Sequence, residues 1–331
     1  MISVIIPSYN RKELMLQAVE SVLHQSLPRN EYEIIVVKNY RDYDDVLREK
    51  GVRTYYIENS WFSAKLSKGI EESEGDIICF LDDDDLFKPN KLEKVKRIFE
   101  EYNISWFKNT IIAQDLQGNI LDITYSYNSS ILKSFSNVDL IEKKSMLKIK
   151  KLSVYLTLAA FTSTQCVSRD VAFSFKDKII KAERYIDELI FFFSIKYGNL
   201  FYIDKEPLTI YRVHENNISR YNKNELGRYA SDFYKAYKAY DSIMEYFLDD
   251  LILKRIIETN RLRLLLFARI YDVFITEKIN IHKVIKELIF NPRLIEYDKG
   301  LLLLGAVALM PSFLRKGIIK LKLKLNNNFD N

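Results

Sequence analysis

Four consecutive aspartates, residues 82–85, directly follow an apolar segment, residues 76–81, that has the composition of a buried strand. Adjacent carboxylates repel one another, so the strand should end where they begin. Carboxylate oxygens are the ligands that Mg²⁺ and Mn²⁺ prefer, and such a cation would relieve the repulsion. The run therefore predicts a divalent metal site at the end of a strand. A solvated acidic loop before the next helix is the alternative.

The first hundred residues alternate apolar strands with helices. Strands are predicted at residues 3–7, 33–37, 53–57 and 76–81. One helix should begin at Asn10, with Glu13 completing a capping box, and another should cover residues 64–72. This alternation predicts an α/β fold with a Rossmann-like, mostly parallel sheet flanked by helices.

In a sheet of this kind, ligands bind beyond the carboxyl ends of the strands. That rule brings three segments far apart in the chain to one rim, namely residues 7–10, residues 38–39 and residues 82–85. The acidic run is thereby predicted to be part of a ligand site.

The pattern is less regular after residue 90. Helices are predicted at residues 92–102 and 186–197, and strands at residues 107–113, 120–125, 200–203 and 208–211. Residues 153–161 suit either a strand or a buried helix. From residue 225 onward the periodicity is helical. We therefore expect a catalytic domain at residues 1–220 and a helical C-terminal region at residues 221–331.

Composition excludes several classes of protein. The net charge of +5 over 331 residues is small and dispersed, which argues against nucleic-acid binding. Cys79 and Cys166 lack metal-ligand spacing, which favours reduced cysteines in an interior compartment. No basic segment precedes the first strand, and the longest apolar stretch, residues 301–310, is too short to span a bilayer. A cytoplasmic protein is expected.

The C-terminal region combines apolar and basic residues without acids. As a helix, it would present two stripes, an apolar one formed by Leu314, Ile318, Leu321 and Leu325 and a basic one formed by Lys316, Lys320 and Lys324. Such a helix suits the interface of an anionic membrane, here its cytoplasmic face. The alternative is a helix that packs on the catalytic domain or on a second subunit.

Three motifs in this order resemble the family-2 glycosyltransferases, which have the GT-A fold. Residues 4–11 read VIIPSYNR, residues 71–85 read EESEGDIICFLDDDD, and residues 211–219 read YRVHENNIS. The resemblance covers about residues 1–220. It implies transfer of a sugar from a nucleotide-diphosphate sugar to an acceptor hydroxyl of a glycan, with inversion at the anomeric carbon. If the protein is bound to a membrane, the expected acceptor is a lipid-linked glycan.

The resemblance also implies roles for the acidic run. Asp84 and Asp82 form the Asp-x-Asp pair that holds Mg²⁺ or Mn²⁺, and Asp82 could instead face the donor's ribose. Asp85 would assist from outside the ligand shell, and Asp83 belongs to the donor site or replaces a ligand if the register differs by one.

An acidic residue near the start of the helix that ends before Gly198 is the family's general base. Counting back from Gly198 gives Asp187, and Ile186 stands where the family usually has a second acid. Glu188 and Glu183 are alternatives for the base. Asp187 could also serve only to cap the helix.

The remaining donor-site assignments are carried over with departures from the family pattern. They are Pro7, Tyr9, Asn39, Lys65 and His214. Lys38 and Asn39 replace the usual pair of aspartates after the second strand, and Asn39 can still pair with a base edge. Lys65 would place a cation near the diphosphate, and Arg212 would bind a phosphate or pair with an acid.

Two other functions remain open at this point. These departures are compatible with a catalytically silent nucleotide-sugar binder or scaffold. A sugar nucleotidyltransferase would want a glycine-rich loop after the first strand, and residues 7–10 contain no glycine.

Overall fold

The computed structural model describes residues 1–59, 61–122, 124, 140–180, 182–215, 217, 226–275, 278–290 and 295–327. The chain forms two compact units. Unit 1 comprises residues 1–149 and 154–214, and unit 2 comprises residues 150–153 and 215–331. The predicted domain boundary near Arg220 lies outside the described residues.

The strands of unit 1 form one nine-stranded sheet. They are β1 (Ile2–Ser8), β2 (Tyr32–Lys38), β3 (Arg53–Tyr56), β4 (Ile77–Phe80), β5 (Leu86–Phe87), β6 (Trp106–Asp115), β7 (Leu140–Glu142), β8 (Gln165–Ser168) and β9 (Leu200–Val213). The strand order is β3-β2-β1-β4-β8-β6-β9-β5, and β7 pairs with β9. The first four strands are parallel, whereas β8 runs antiparallel to both β4 and β6. The predicted α/β sheet is confirmed, and its second half is mixed.

Helices connect these strands and form most of unit 2. In unit 1 they are α1 (Lys12–Leu23), α2 (Asp44–Glu49), α3 (Phe62–Glu72), α4 (Lys91–Tyr102), α5 (Lys143–Met146), α6 (Leu152–Ala159, which begins in unit 2), α7 (Arg169–Ile179) and α8 (Ile186–Tyr197). In unit 2 they are α9 (Leu226–Ile243), α10 (Leu251–Tyr271), α11 (Ile281–Phe290), α12 (Gly300–Leu309) and α13 (Ser312–Asn327). Among the described helices, none is both long and apolar enough to cross a membrane.

The register of the central strands sets the position of the rim. Ile6 pairs with Val36 and Ser8 with Lys38, while Ile5 pairs with Phe80. The segments that follow β1, β2 and β4 therefore emerge side by side, as the sequence predicted. Every residue of β1 is buried, which explains its apolar sequence.

Gly75 allows the chain to enter β4 closely beside β1. A Cβ atom at this position would lie 2.6 Å from the backbone nitrogen of Ser3. The Gly75 backbone N–H instead donates to Ser3 Oγ at 2.8 Å. This glycine is required by close packing at the end of the sheet opposite the rim.

Some local predictions are corrected by the structure. Asn10 does not cap a helix, since it adopts a left-handed conformation with φ of 57° and α1 begins at Lys12. Within the described residues of 120–125, Ile120 forms only an isolated bridge with Gln114. The two short strands predicted at 200–211 are one strand, β9, and the ambiguous segment at 153–161 is mostly helical, as α6.

The two cysteines are a further correction. Cys79 on β4 and Cys166 on β8 lie opposite each other in the antiparallel ladder and form a disulfide, with Cα atoms 4.1 Å apart. The expectation of reduced cysteines is therefore wrong. The two cysteines are 87 positions apart in the sequence and gave no local signal of pairing, because only the sheet topology brings β4 beside β8.

Candidate active site

Asp83 anchors the loop that follows β1. Its Oδ2 accepts hydrogen bonds from Ser8 Oγ at 2.8 Å and from the backbone N–H of Tyr9 at 3.1 Å. Its Oδ1 accepts from the Arg11 guanidinium at 3.0 Å. Burial raises the pKa of Asp83 to about 6. This carboxylate thus joins the ends of β1 and β4 at the rim.

Side chains of two arginines and one histidine contact Asp84. Arg11 donates to its Oδ2 at 2.5 Å, and Nε2 of His214 lies 3.2 Å from the same oxygen. Arg212 donates from Nε to the backbone carbonyl of Asp84. The segment after β9 therefore reaches the acidic run, as the position of His214 in the third motif had suggested.

Asp82 and Asp85 are linked through one hydroxyl. Ser163 Oγ accepts a hydrogen bond from the backbone N–H of Asp82 at 2.9 Å and donates to Asp85 Oδ2 at 2.6 Å. Oδ1 of Asp82 is buried and lacks a hydrogen-bond partner. A buried oxygen without a donor is costly, and it is a suitable ligand for a cation.

The side chains of Asp82, Asp84 and Asp85 converge. Each offers one carboxylate oxygen, and these oxygens all lie within 4.8 Å of one another. Burial, together with the neighbouring carboxylates, raises the pKa of Asp82, and burial together with Asp84 raises that of Asp85 to about 8. Oxygen ligands at this spacing fit a divalent cation such as Mg²⁺ or Mn²⁺. Asp83 faces the β1 loop instead.

Residues 160–165, which we call the Ser163 segment, connect the acidic run to Asp187. Besides Ser163, the segment contains Phe161, whose backbone N–H donates to Asp187 Oδ2 at 3.2 Å. The Gln165 amide donates to the Asp187 carbonyl at 3.2 Å. Asp187 is also close enough to Asp82 to raise the pKa of that carboxyl. The predicted base and the predicted metal site are therefore held by one short segment.

Asp187 itself lies in the first turn of α8. Its Oδ1 accepts from the backbone N–H of Glu188 at 3.0 Å, so it also satisfies a free donor at the helix start. Burial raises the pKa of Asp187. Of the alternatives, Glu188 is buried and Glu183 is exposed, while Ile186 is buried with the core.

Two buried lysines fix the Ser163 segment. Lys91 donates to the Ser163 carbonyl at 2.6 Å and to Thr209 Oγ1 at 3.0 Å. Lys108 donates to the Ala160 carbonyl and to Thr164 Oγ1. Burial lowers the pKa of Lys91 well below its usual value and that of Lys108 to about 7. Both lysines are fully buried, so their contribution is to orient the segment.

The predicted donor-side residues line the neighbouring part of the rim. Pro7 lies in β1 opposite Val37. Oδ1 of Asn39 is buried without a hydrogen-bond partner, which leaves an acceptor for a ligand. The Lys65 ammonium lies 5.2 Å from the centre of the Tyr9 ring, and burial lowers the pKa of Lys65 to about 8. Tyr9 is 49% exposed, as a side chain open to a ligand would be.

Lys38, in contrast, contacts other residues of the protein. Its ammonium donates to the carbonyls of Tyr40 at 2.9 Å and Asp42 at 3.1 Å and pairs with Asp44. It is buried, so Lys38 is not a surface charge. Lys38 shapes the loop that presents Asn39.

Sequence reasoning assigned no role to four residues of this site: Arg11, which lies in the first motif, and Lys91, Lys108 and Ser163. A usable signal existed for Lys108, since it begins a polar triplet, residues 108–110, within an otherwise apolar strand. Ser163 and Lys91 gave none, because their roles depend on contacts with segments more than 70 residues away.

Part of this chain is similar in sequence to known glycosyltransferases. The family model described as glycosyl transferase family 2 matches residues 3–157. An uncharacterized glycosyltransferase of Rickettsia bellii is 33% identical over 127 residues, which are 37% of this chain and 18% of that protein. The putative teichuronic acid biosynthesis glycosyltransferase TuaG of Bacillus subtilis is 32% identical over 127 residues, 35% of this chain and 49% of that protein. The matched segment thus spans half or less of either relative.

Solved structures extend the likeness over most of the chain. S. aureus TarS 1-349 in complex with UDP-GlcNAc superposes with a TM-score of 0.53 at 14% identity, covering 89% of this chain and 90% of that one. The same TarS fragment in another crystal structure gives a TM-score of 0.52 at 12% identity. At such identities the likeness establishes the fold. Residues 3–157, just under half of the chain, thus match the model of glycosyl transferase family 2, and the chain has the GT-A fold that its sequence predicted.

Proposed function

We propose that this protein is a metal-dependent inverting glycosyltransferase that moves a sugar from a nucleotide-diphosphate sugar to an acceptor hydroxyl. The observation that carries the proposal is the Ser163 segment, which binds the carboxylate cluster through Ser163 and Asp187 through Phe161. A leaving-group site and a base must lie on either side of the transferred sugar. Unit 1 would supply both.

The donor would bind along the rim, with its base near Asn39 and its diphosphate near the acidic cluster. The unpartnered Oδ1 of Asn39 is suited to accept a hydrogen bond from a base N–H. Lys65 would contribute a cation, and Pro7 and Tyr9 would border the nucleoside. The UDP-GlcNAc complex of TarS, which shares the fold, supports a nucleotide sugar as the donor class.

Asp84 and Asp82 would hold the divalent cation, with Asp85 beside them. When bound, Mg²⁺ or Mn²⁺ would act as a Lewis acid toward the diphosphate leaving group. His214 and Arg11, which contact Asp84, would orient that carboxylate. Asp83 would keep the β1 loop in place against the donor.

Asp187 would be the general base. As the acceptor oxygen bonds to the anomeric carbon and the bond to the diphosphate breaks, the acceptor proton passes to the Asp187 carboxylate. Burial raises the pKa of Asp187, which makes its carboxylate a better proton acceptor. The acceptor is proposed to be a hydroxyl of a glycan, lipid-linked if the protein works at a membrane.

A thermal-shift screen across nucleotide sugars with Mn²⁺ tests donor binding. A ligand at one hundred times its Kd should stabilise the fold by about 2.7 kcal/mol. Asp84→Asn removes a carboxylate from the cluster and should weaken Mn²⁺-dependent binding by at least about 10-fold. Asp83→Asn makes the same change of charge one residue away and should be milder, because Asp83 faces the β1 loop.

Two outcomes would change the proposal. If Asp84→Asn binds the nucleotide diphosphate with Mn²⁺ as the wild type does, Asp84 is not a metal ligand. If the wild type binds a nucleotide sugar without hydrolysing or transferring it under any condition, a silent binder becomes the better description.

A further inference from the structure

The last two helices of unit 2 present leucine and phenylalanine to solvent. On α12, Leu302 is 62% exposed and Leu303 is 70% exposed. On α13, Phe313 is 71% exposed and Leu321 is 60% exposed, with Ile318 at 40% between them. Large exposed apolar side chains on two consecutive helices are typical of an interaction site.

The orientation of α13 is fixed by its other face. Arg315 is 2% exposed, and its guanidinium pairs with the buried Asp272 at 2.7 Å and donates to the Met310 carbonyl at 3.0 Å. Ile319, one turn further along the same face, is 4% exposed. At about 100° per residue, Phe313 and Leu321 lie on the opposite side of the helix, and Ile318 lies at its flank. The protein thus binds α13 by a polar anchor and leaves its apolar face outward.

Helix α12 repeats this arrangement. Leu301, Gly305 and Ala308 are buried, at positions one turn apart. Leu302 and Leu303 project on the remaining side. We call the exposed apolar residues of the two helices the outer face: Leu302, Leu303, Leu309, Phe313, Leu314, Ile318 and Leu321.

The charges beside the outer face have one sign. Residues 299–329 contain no aspartate or glutamate. Lys299, Lys316 and Lys320 are exposed. Apolar side chains flanked by lysines match the interface of an anionic bilayer, where the apolar groups enter the acyl boundary and the ammonium groups meet phosphates.

We propose that the outer face docks this protein onto the surface of an anionic membrane, with α12 and α13 lying in the interface. Helix α12 has 10 residues, about 15 Å of helix, which is half of a hydrocarbon core. The helices therefore lie along the membrane. Neighbouring lysines also favour lipid over a purely apolar protein partner.

Vesicle sedimentation of the full chain tests the proposal. The wild type should bind vesicles of phosphatidylcholine with phosphatidylglycerol more tightly than vesicles of phosphatidylcholine alone, and added salt should weaken the binding. Leu303→Ser with Phe313→Ser should lower the affinity for the anionic vesicles at least about 10-fold. Lys316→Gln and Lys320→Gln should each lower it about fivefold.

A matched control removes similar apolar surface elsewhere in unit 2. Leu248 is 56% exposed and Leu251 is 67% exposed, and both lie outside the outer face. Leu248→Ser with Leu251→Ser should bind vesicles as the wild type does. Equal loss of vesicle binding in this control and in Leu303→Ser with Phe313→Ser would overturn the proposal, as would wild-type binding that ignores lipid charge.

A second copy of the chain is the competing occupant. Sedimentation velocity without lipid distinguishes the two. A dimer that dissociates on Leu303→Ser with Phe313→Ser would assign the outer face to self-association and overturn membrane docking. A monomer in both cases, with vesicle binding lost only in the variant, supports docking. Because the readout is lipid binding, the result is independent of whether the proposed sugar transfer is correct.

Discussion

The rim of unit 1 and the outer face of unit 2 depart from the ordinary distribution of residues in opposite directions. The rim buries carboxylates and lysines, while the outer face exposes leucines and a phenylalanine. Folded proteins usually bury apolar groups and expose charged ones. At the rim, hydrogen bonds from several distant segments compensate the buried charge. On the outer face, the described residues nearby do not cover the exposed apolar side chains.

This difference separates two ways of recognising a ligand. The rim is specific, because partners such as Ser163 and Arg11 hold Asp85 and Asp83 in fixed directions. The outer face can select only for apolar character and for negative charge. We expect substitutions at the rim to affect both stability and chemistry, and substitutions on the outer face to leave the fold unchanged.

The largest effect is expected at Asp187. Asp187→Asn keeps the size of the side chain but offers one oxygen to the two backbone N–H groups, of Glu188 and Phe161, that bind Asp187, so the free energy of unfolding should fall by about 1–3 kcal/mol. Removal of a general base should lower turnover by about 10²–10⁴-fold while donor affinity survives. Turnover and nucleotide-sugar affinity should be measured together for Asp187→Asn, Glu188→Gln and Glu183→Gln.

Two results would reassign the base. Normal turnover of Asp187→Asn beside an inactive glutamate variant would transfer the role to that glutamate. Activity in all three variants would mean that the mechanism needs no carboxylate from the start of α8.

A smaller effect is expected at Ser163. Ser163→Ala leaves the buried Asp85 without one hydrogen-bond donor and the Asp82 backbone N–H without its acceptor. The free energy of unfolding should fall by about 1–3 kcal/mol, as measured by denaturant titration. Ser174→Ala, in which the lost bond is to an exposed helix carbonyl, serves as the control and should stay within about 0.5 kcal/mol. Equal losses of unfolding free energy in the two variants would show that the Ser163 hydrogen bonds stabilise the protein no more than an exposed hydrogen bond does.

The lowered pKa of Lys108 predicts that the free energy of unfolding depends on pH. Burial lowers its pKa to about 7 from 10.5, so between these values the unfolded chain binds a proton that the folded chain does not. Stability contributed by this group therefore rises with pH through that window. The unfolding free energy of the wild type, relative to Lys108→Met, should increase by about 1 kcal/mol between pH 7 and pH 8. A difference that stays constant with pH would mean that Lys108 keeps its charge in the folded state.

The smallest effect is expected on the outer face. Leu303→Ser alters a side chain that is 70% exposed, so the free energy of unfolding should change by no more than about 0.5 kcal/mol. Thermal unfolding without lipid is the measurement. A larger loss would show that Leu303 packs against the protein, and the contrast between the two regions would then be weaker.

Much of the fold followed from local patterns. Strands β1 to β4, helix α8 and the common rim were predicted from hydrophobic periodicity, and register then aligned the ends of β1, β2 and β4. Each of these strands and helices depends on a few consecutive residues. The right-handed connection of parallel strands then determines how the strands are arranged in the sheet. The helix start predicted at Asn10 was wrong, since Asn10 is left-handed and the next residue, Arg11, contacts Asp83 and Asp84 in a distant segment.

By itself the sequence determined that carboxylates end a buried strand and that apolar and basic residues share the last helices. Only the tertiary structure decided what surrounds them. The antiparallel position of β8 between β4 and β6 places the Ser163 segment beside the acidic run, pairs Cys79 with Cys166 and buries Lys108. Likewise, the pairing of Arg315 with Asp272 decided which side of α13 faces outward. A local pattern specifies which residues share a face, but the partner of that face depends on chain segments that the pattern does not contain.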